Sequence, residues 1–406
     1  MLQRILLTIL TIITLDSAGQ VNTFSLPEGR TRYTASFQNY DNIVVVEMML
    51  QDSIPVKLIV DSGIEGIIIT DTTLVNYFQP SCFRKFKLSA PASTRTLDAC
   101  ITSLIKVKFG ALEPIYTNAI LLQEDLFSLE SFIGTKVHGL IGLDKFKNLI
   151  VTINYDRNFI RFTRPSAYEI PDNSTVLPID ILRGRPYLNA RVELDNREIR
   201  DLWLMIDSGA NHPLLLETDS TDKYKPTASL EATIGRGLGG NIPGEFVRSG
   251  WLLIGNWRLY NIITSVSSQY IAGNPANRNF RNGTLGSGAL ARFEVTFDYQ
   301  NRRMILKKGA KFNDPFEYNM SGITFESLST GYNIFKVSEV IYDSPAFHAG
   351  IHKEDILVSV NGKAAFSMDL GELNGLLSRK PGTIINLTLS REGEIIFVKF
   401  KLKRLI

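Results

Sequence analysis

Apolar positions along this chain fall in short runs with strand-like alternation, parted by turns of Gly, Asn, Asp and Pro, and this pattern predicts strands far more often than helices. From Ile43 the run IVVVEMML, a turn over residues 51 to 55 and the run LIVD read as a hairpin that ends in Asp61. The segment DTTLVNYF, 71 to 78, predicts one helical turn capped by Asp71. Strand-like runs follow at 101 to 109 and 115 to 122, then an apolar pair and glycine at Leu140 to Gly142, a short helix at 144 to 148, and the strands LIVTI and NFIRF. Pro165, Pro171 and Pro178 mark a join. Beyond it YLNARVEL and IRDLWLMI flank the turn DNRE and form a second hairpin, which ends in Asp207. A composition shift near residue 315 precedes strands FKVSEVI, ILVSVNG, TIINLTLSR and IIFVKFKL, with helical signals at SPAFHAG and SMDLGELNGLLSR, the pattern of a compact α+β unit.

The two hairpins deliver near-copies of one stretch, LIVDSGIEGIIIT at 58 to 70 and LMIDSGANHPLLL at 204 to 216. A second match lies downstream, where Gly142 aligns with Gly286, and Val151, Thr152 and Tyr155 align with Val295, Thr296 and Tyr299. The offset is 146 positions at the aspartates and 144 at the glycines, so the chain carries an internal duplication. A period this long excludes a solenoid and predicts two small lobes, each with its own core, related by a pseudo-twofold axis that brings Asp61 to Asp207. The expected organisation is a leader over 1–19, a first lobe over 20–170, a second over 171–314 and a C-terminal unit over 315–406.

The 44 basic and 41 acidic residues are spread along the chain, and a formal charge of +3 argues against a nucleic-acid partner. The N-terminus MLQRILLTILTIITLDSAGQ has one cation, an apolar stretch from Ile5 to Leu15 and small residues before Gln20, which reads as a secretory signal peptide. Export to a periplasmic or extracellular space follows. Such a space is oxidising, so Cys82 and Cys100, the two cysteines, either pair with each other or stay as separate buried thiols.

Two carboxyl groups within hydrogen-bond distance cannot both ionise, so a facing pair keeps one proton and combines an acid with a base. Such a pair at Asp61 and Asp207 would activate a water for hydrolysis of a peptide bond, with Ser62, Gly63, Ser208 and Gly209 as its supports. The competing idea, a serine nucleophile, needs a histidine base, and His138, His212, His348 and His352 show no spacing that supplies one. Those histidines and the two cysteines make no metal-ligand spacing either, so neither a metal nor a cofactor is expected. The glycine-rich stretch 235 to 246 precedes a strand-like run, which fits a hairpin tip better than a phosphate cradle.

The paired DSG turns, the segments ending at Gly142 and Gly286 and the glycine-rich hairpin resemble the pepsin and retropepsin superfamily of aspartic peptidases over residues 30 to 310. Residues 316 to 406 resemble a PDZ domain, chiefly through SPAFHAGIHKEDILVSVNGK at 344 to 363. A similar pairing of a duplicated retropepsin-like peptidase with a PDZ module is familiar among exported bacterial proteins. The resemblance implies a mainly β fold of two pseudo-twofold-related pepsin/retropepsin-like lobes plus an α+β PDZ domain, acting as a monomeric aspartic endopeptidase. It implies a catalytic pair, Asp61 and Asp207, a flap at Gly237, Leu238, Gly239 and Gly240, and a peptide or protein substrate between the lobes. It also implies a peptide C-terminus held at the PDZ loop Gly322, Ile323, Thr324 and Phe325. Ile64 departs from the Thr or Ala usual after DSG, so a large side chain is expected beside the pair, and with Ala210 it leaves the pair short of hydroxyl donors. The alternative from a different class is an exported peptide-binding scaffold that has lost activity.

Overall fold

The computed structural model describes residues 22–78, 82–89, 96–124, 129–217, 224–237, 240–267, 281–329 and 332–406. The expected leader and the two expected flap residues Leu238 and Gly239 lie outside the described residues. Among the described residues no helix is long and apolar enough to cross a membrane.

The duplication is visible in the strand connections. In the first half the strand Ile54–Asp61 runs parallel to Gly139–Gly142, with Gly142 opposite Asp61. In the second half Ile199–Asp207 runs parallel to Gly283–Gly286, with Gly286 opposite Asp207. Each short Gly-ended strand then pairs antiparallel with the strand that follows an aspartate, Ile67–Ile69 or Leu214–Glu217. Those two strands in turn run parallel to Ile120–Leu122 and to Trp257–Ser267. Central strands of this kind are covered on both faces, which is why LIV and LMI read as unbroken apolar runs. Leu58, Val60, Leu204 and Ile206 are fully buried.

A third sheet belongs to both halves. Its order is Arg32–Ser36, Phe159–Thr163, Ile150–Asn154, Phe293–Asp298, Arg303–Lys308, Ser174–Pro178. The middle pair is antiparallel with Thr152 opposite Thr296, and their hydroxyls meet at 2.8 Å. These are equivalent residues of the two repeats, so the local twofold relation passes between them. The sheet also corrects the expectation of two separate cores. Ile153, Val295, Phe162 and Leu306 join the apolar interiors of both halves into one cluster running from Phe24 to Phe316. The outer strands were not foreseen, because RYTAS at 32 to 36 is mostly exposed and carries no apolar run.

Cys82 and Cys100 are bonded, with Cα atoms 5.7 Å apart and 18 positions between them in sequence. The bond staples neighbouring strands, Cys82–Ser89 and Thr96–Thr102. Closing a loop of this size should contribute roughly 3 kcal/mol by restricting the unfolded chain. Reduction, or the Cys82→Ser, Cys100→Ser double variant, is expected to lower the denaturant midpoint accordingly. Equal midpoints in the presence and absence of reductant would contradict it.

The glycine-rich segment forms the expected hairpin. Leu230–Gly237 pairs with Gly240–Ile254, and Gly237 faces Gly240 at the end of the ladder.

The C-terminal unit has a core of its own, built from Ile323, Phe325, Phe335, Leu373, Leu377, Leu387 and neighbours. Its main strands are ordered Ile323–Ser329, Ile334–Val340, Ile356–Val360, Ile384–Arg391, Glu394–Lys401. Ser344 caps the helix Pro345–His348 by accepting the Phe347 N–H at 3.2 Å, and Asp369 caps Leu370–Leu377 by accepting the Glu372 N–H at 2.7 Å. Buried Asp355 takes both arms of the Arg391 guanidinium at 2.7 and 2.8 Å. The unit rests on the second half, where Glu339 accepts the Thr233 N–H at 3.2 Å and Arg248 donates to the carbonyls of Phe316 and Ile406, each at 2.9 Å.

Candidate functional site

The two DSG turns meet at the junction of the halves. The Ser62 hydroxyl donates to the Ile206 carbonyl at 2.7 Å and accepts the Ser208 N–H at 2.9 Å. Reciprocally, the Ser208 hydroxyl donates to the Val60 carbonyl at 2.9 Å and accepts the Ser62 N–H at 3.0 Å. Both serines are fully buried. Each hydroxyl therefore satisfies one donor and one acceptor of the opposite half, in a place where water cannot replace it.

This crossed junction fixes the carboxyl groups. The Gly63 N–H donates to Asp61 Oδ1 at 2.6 Å, and the Gly209 N–H donates to Asp207 Oδ1 at 2.9 Å. The glycines are required by proximity. A Cβ on Gly63 would stand 2.7 Å from Asp207 Oδ2, and one on Gly209 would stand 2.5 Å from the Asp61 carboxyl carbon. Asp61 is 6% exposed. Burial pushes its carboxyl well above the usual range, and the neighbouring charge and hydrogen bond of Asp207 push it further, against the Gly63 N–H, which favours the ionised form. The folded junction thus holds this proton more tightly than water would. A group that keeps its proton beside a carboxylate can donate and accept in the same step.

Ile64 turns toward the first half. It packs against the apolar cluster of Ile43, Val45, Ile59 and Leu140.

Three neighbours carry signals that motif reading passed over. The spacing of His212 supplies no base, yet its Nε2 is buried without a partner, and burial holds the ring's pKa at about 4, so the imidazole is neutral. Arg185, at the start of the second-half strand Arg185–Glu193, acts on Asp61 by its charge and has a buried, unpartnered Nε. Asp144 accepts the Gly66 N–H at 2.9 Å and so ties down the far side of the first turn. Nothing in the spacing of Arg185 announces it, since it comes from the opposite repeat. Among the described residues no group of three or more His, Cys, Asp or Glu could hold a metal ion.

The expected C-terminal loop is built differently from a row of side-chain contacts. Gly322 adopts φ +80°, and Ile323 and Phe325 send their side chains into the core. The loop thus offers backbone, with the Ile323 N–H already donating to Ser321 Oγ at 3.0 Å. Thr324 is half-buried, and its carbonyl accepts from Ser338 at 3.1 Å.

One relative is a protein of Staphylococcus saprophyticus named "Probable CtpA-like serine protease", 30% identical over 111 residues. The match takes in 27% of this chain and 22% of that protein, so the chain spans about a fifth of the relative's length. This finding corrects the expected function. A relative named for serine chemistry points away from an aspartic endopeptidase of the pepsin or retropepsin type. Residues 321–402 match the PDZ domain family, and the separate core and capped helices of this stretch agree with that match, so the C-terminal unit is a PDZ domain.

Proposed function

We propose that this chain is a PDZ-bearing peptide hydrolase, in which the PDZ domain takes chain ends and the junction of the two halves carries the chemistry. The observation behind the second part is the crossed Ser62–Ser208 junction, which sets the raised Asp61 carboxyl beside Asp207. Asp61 and Asp207 are proposed as the groups that hold and move a proton at the reacting centre. Ser62, Gly63, Ser208 and Gly209 position them, and the hairpin through Gly237 and Gly240 is proposed to border a peptide substrate. The matched strand connections of the two halves support a description as pseudo-twofold-related lobes. The bonded cysteines and the apolar N-terminal stretch support export.

A second possibility, attack by a serine hydroxyl, is favoured by the name of the staphylococcal relative. Neither serine beside the carboxyls is free for it. Ser62 and Ser208 each donate to a backbone carbonyl and are fully buried. The two routes part on one experiment, the digestion of a quenched fluorescent unfolded casein between about pH 3 and pH 9, with the Asp207→Asn variant and with diisopropyl fluorophosphate as a serine-directed reagent. Turnover that is lost in the variant is the result expected if the junction is the reacting centre. Turnover that survives the substitution and is blocked by the reagent would move the chemistry to a serine, and no turnover at any pH would leave a peptide-binding scaffold.

A further inference from the structure

The strand Ile323–Ser329 is an edge of the PDZ sheet, with Ile334–Val340 as its neighbour on the inner side. An edge presents unpaired backbone groups, and PDZ domains use one to add an extended chain as a further strand. The loop through Gly322 leads into this strand, and the helix Leu370–Leu377 stands beside it, sharing its core through Leu370, Leu373 and Ile323. These features define the place where a chain end would lie.

That place is covered by the first half of the same chain. The helix Leu129–Ile133 packs against the strand Ile323–Ser329. Gly134, the residue after it, lies against Leu370 so closely that a Cβ there would stand 2.7 Å from the Leu370 Cβ. Both walls of the site are therefore touched by one short segment. From its other side the segment is held by Ile133 and Leu129, which pack with Ile43, Val45 and Ile59. The cover is not a paired strand. The helix closes its own backbone, with the Gly134 N–H donating to the Glu130 carbonyl at 2.8 Å, so an incoming strand can offer hydrogen bonds that the segment does not. Gly134 has φ +80°, a conformation that other residues adopt at a cost and that lets the chain turn away at the point of contact. Five residues later the chain enters Gly139–Gly142, the strand paired with the one carrying Asp61.

We propose that residues 129–134 are a latch in cis on the chain-end site of the PDZ domain, and that a captured C-terminus displaces them. The proposal rests on the PDZ domain taking chain ends, as above. Competition of this kind weakens the apparent affinity by the fraction of molecules that are open, so a latch closed in about nine molecules of ten lowers it about tenfold.

The test uses the full chain and a pool of decapeptides with randomised C-terminal residues and free carboxylates, with a C-terminally amidated pool as control. The most strongly retained free-acid peptide is synthesised and its affinity measured for the wild type and for Gly134→Val, whose added side chain meets Leu370. The expected result is about tenfold tighter binding by the variant, and in the wild type faster hydrogen exchange over 129–137 when the peptide is bound. The exchange measurement stands on its own if the variant does not fold. Binding with equal affinity and unchanged exchange over 129–137 would overturn the latch and leave the PDZ assignment intact. Retention of no free-acid peptide by either protein would overturn chain-end capture and the latch with it.

Discussion

Replacing Ser62 by Ala is expected to lower the unfolding free energy by about 4 kcal/mol, since each buried backbone group left unsatisfied costs about 1–3 kcal/mol. Two groups are orphaned at once, the Ser208 N–H and the Ile206 carbonyl, and neither has water at hand because the junction is fully buried. Ser208→Ala should behave alike through the Ser62 N–H and the Val60 carbonyl. The measurement is denaturant unfolding, with Ser53→Ala, an exposed serine whose hydroxyl bonds only its own turn, as the reference near zero. A loss below about 1 kcal/mol at both junction serines would mean that the halves are held without the crossed bonds. The effect on turnover should exceed the effect on stability, because the same bonds set the distance between the carboxyl groups.

Asp61→Asn is the second large expectation. Asp61 has its pKa raised, by burial first and by Asp207 next. The folded chain therefore holds this proton more tightly than the unfolded chain, whose value is near 3.8. The sign follows from linkage. Stability from this group is complete below about pH 4 and declines as pH rises through the folded value, where the buried carboxyl is forced to ionise. Asparagine has no proton to lose and keeps a donor toward Asp207, so the variant should not show that decline. Its thermal midpoint at neutral pH should equal or exceed that of the wild type, while peptide hydrolysis falls by at least about a hundredfold. A variant that is both less stable at neutral pH and still active would contradict the assignment on each count.

Much of the architecture could be read from residue order, and the reasons are local. LIVDSG and LMIDSG are apolar runs that turn sharply at small polar residues, and a repeated signal of that kind needs no knowledge of distant contacts. The hairpins ending in Asp61 and Asp207, the capped turn after Asp71 and the α+β character of the last stretch were legible for the same reason. The shared sheet was not. Its central pairing joins Thr152 to Thr296, and its edge strand RYTAS is ordered by Phe159–Thr163 rather than by its own pattern. The expectation of separate cores failed for that reason, since nothing within either repeat encodes the strands that fuse them.

Side-chain direction was equally hidden at the site. Ile64 beside DSG suggests crowding when only its neighbours in sequence are considered, and the fold turns it toward Ile43 and Val45. Arg185 and His212 become visible only once the halves are joined, because what makes them unusual is a buried nitrogen without a partner. The PDZ domain was legible from its turns and helix signals, but its contact with the helix Leu129–Ile133 is a meeting of surfaces distant in sequence. The functional class went astray at a different point. The doubled DSG signal was read straight through to the name of an enzyme class, and the named relative does not bear that name out.

The claim beneath all of this is that the junction of the halves, by burial and by the nearness of Asp207, makes the Asp61 carboxyl hold its proton beyond the ordinary range. It is tested most directly by carbon-13 labelling of the aspartate carboxyls and following them by NMR from about pH 3 upward. The account predicts a step at Asp61 well above the ordinary carboxylate range, which moves down in Asp207→Asn while burial still keeps it raised. An Asp61 carboxyl that ionises in the ordinary range, unaffected by that substitution, would contradict it.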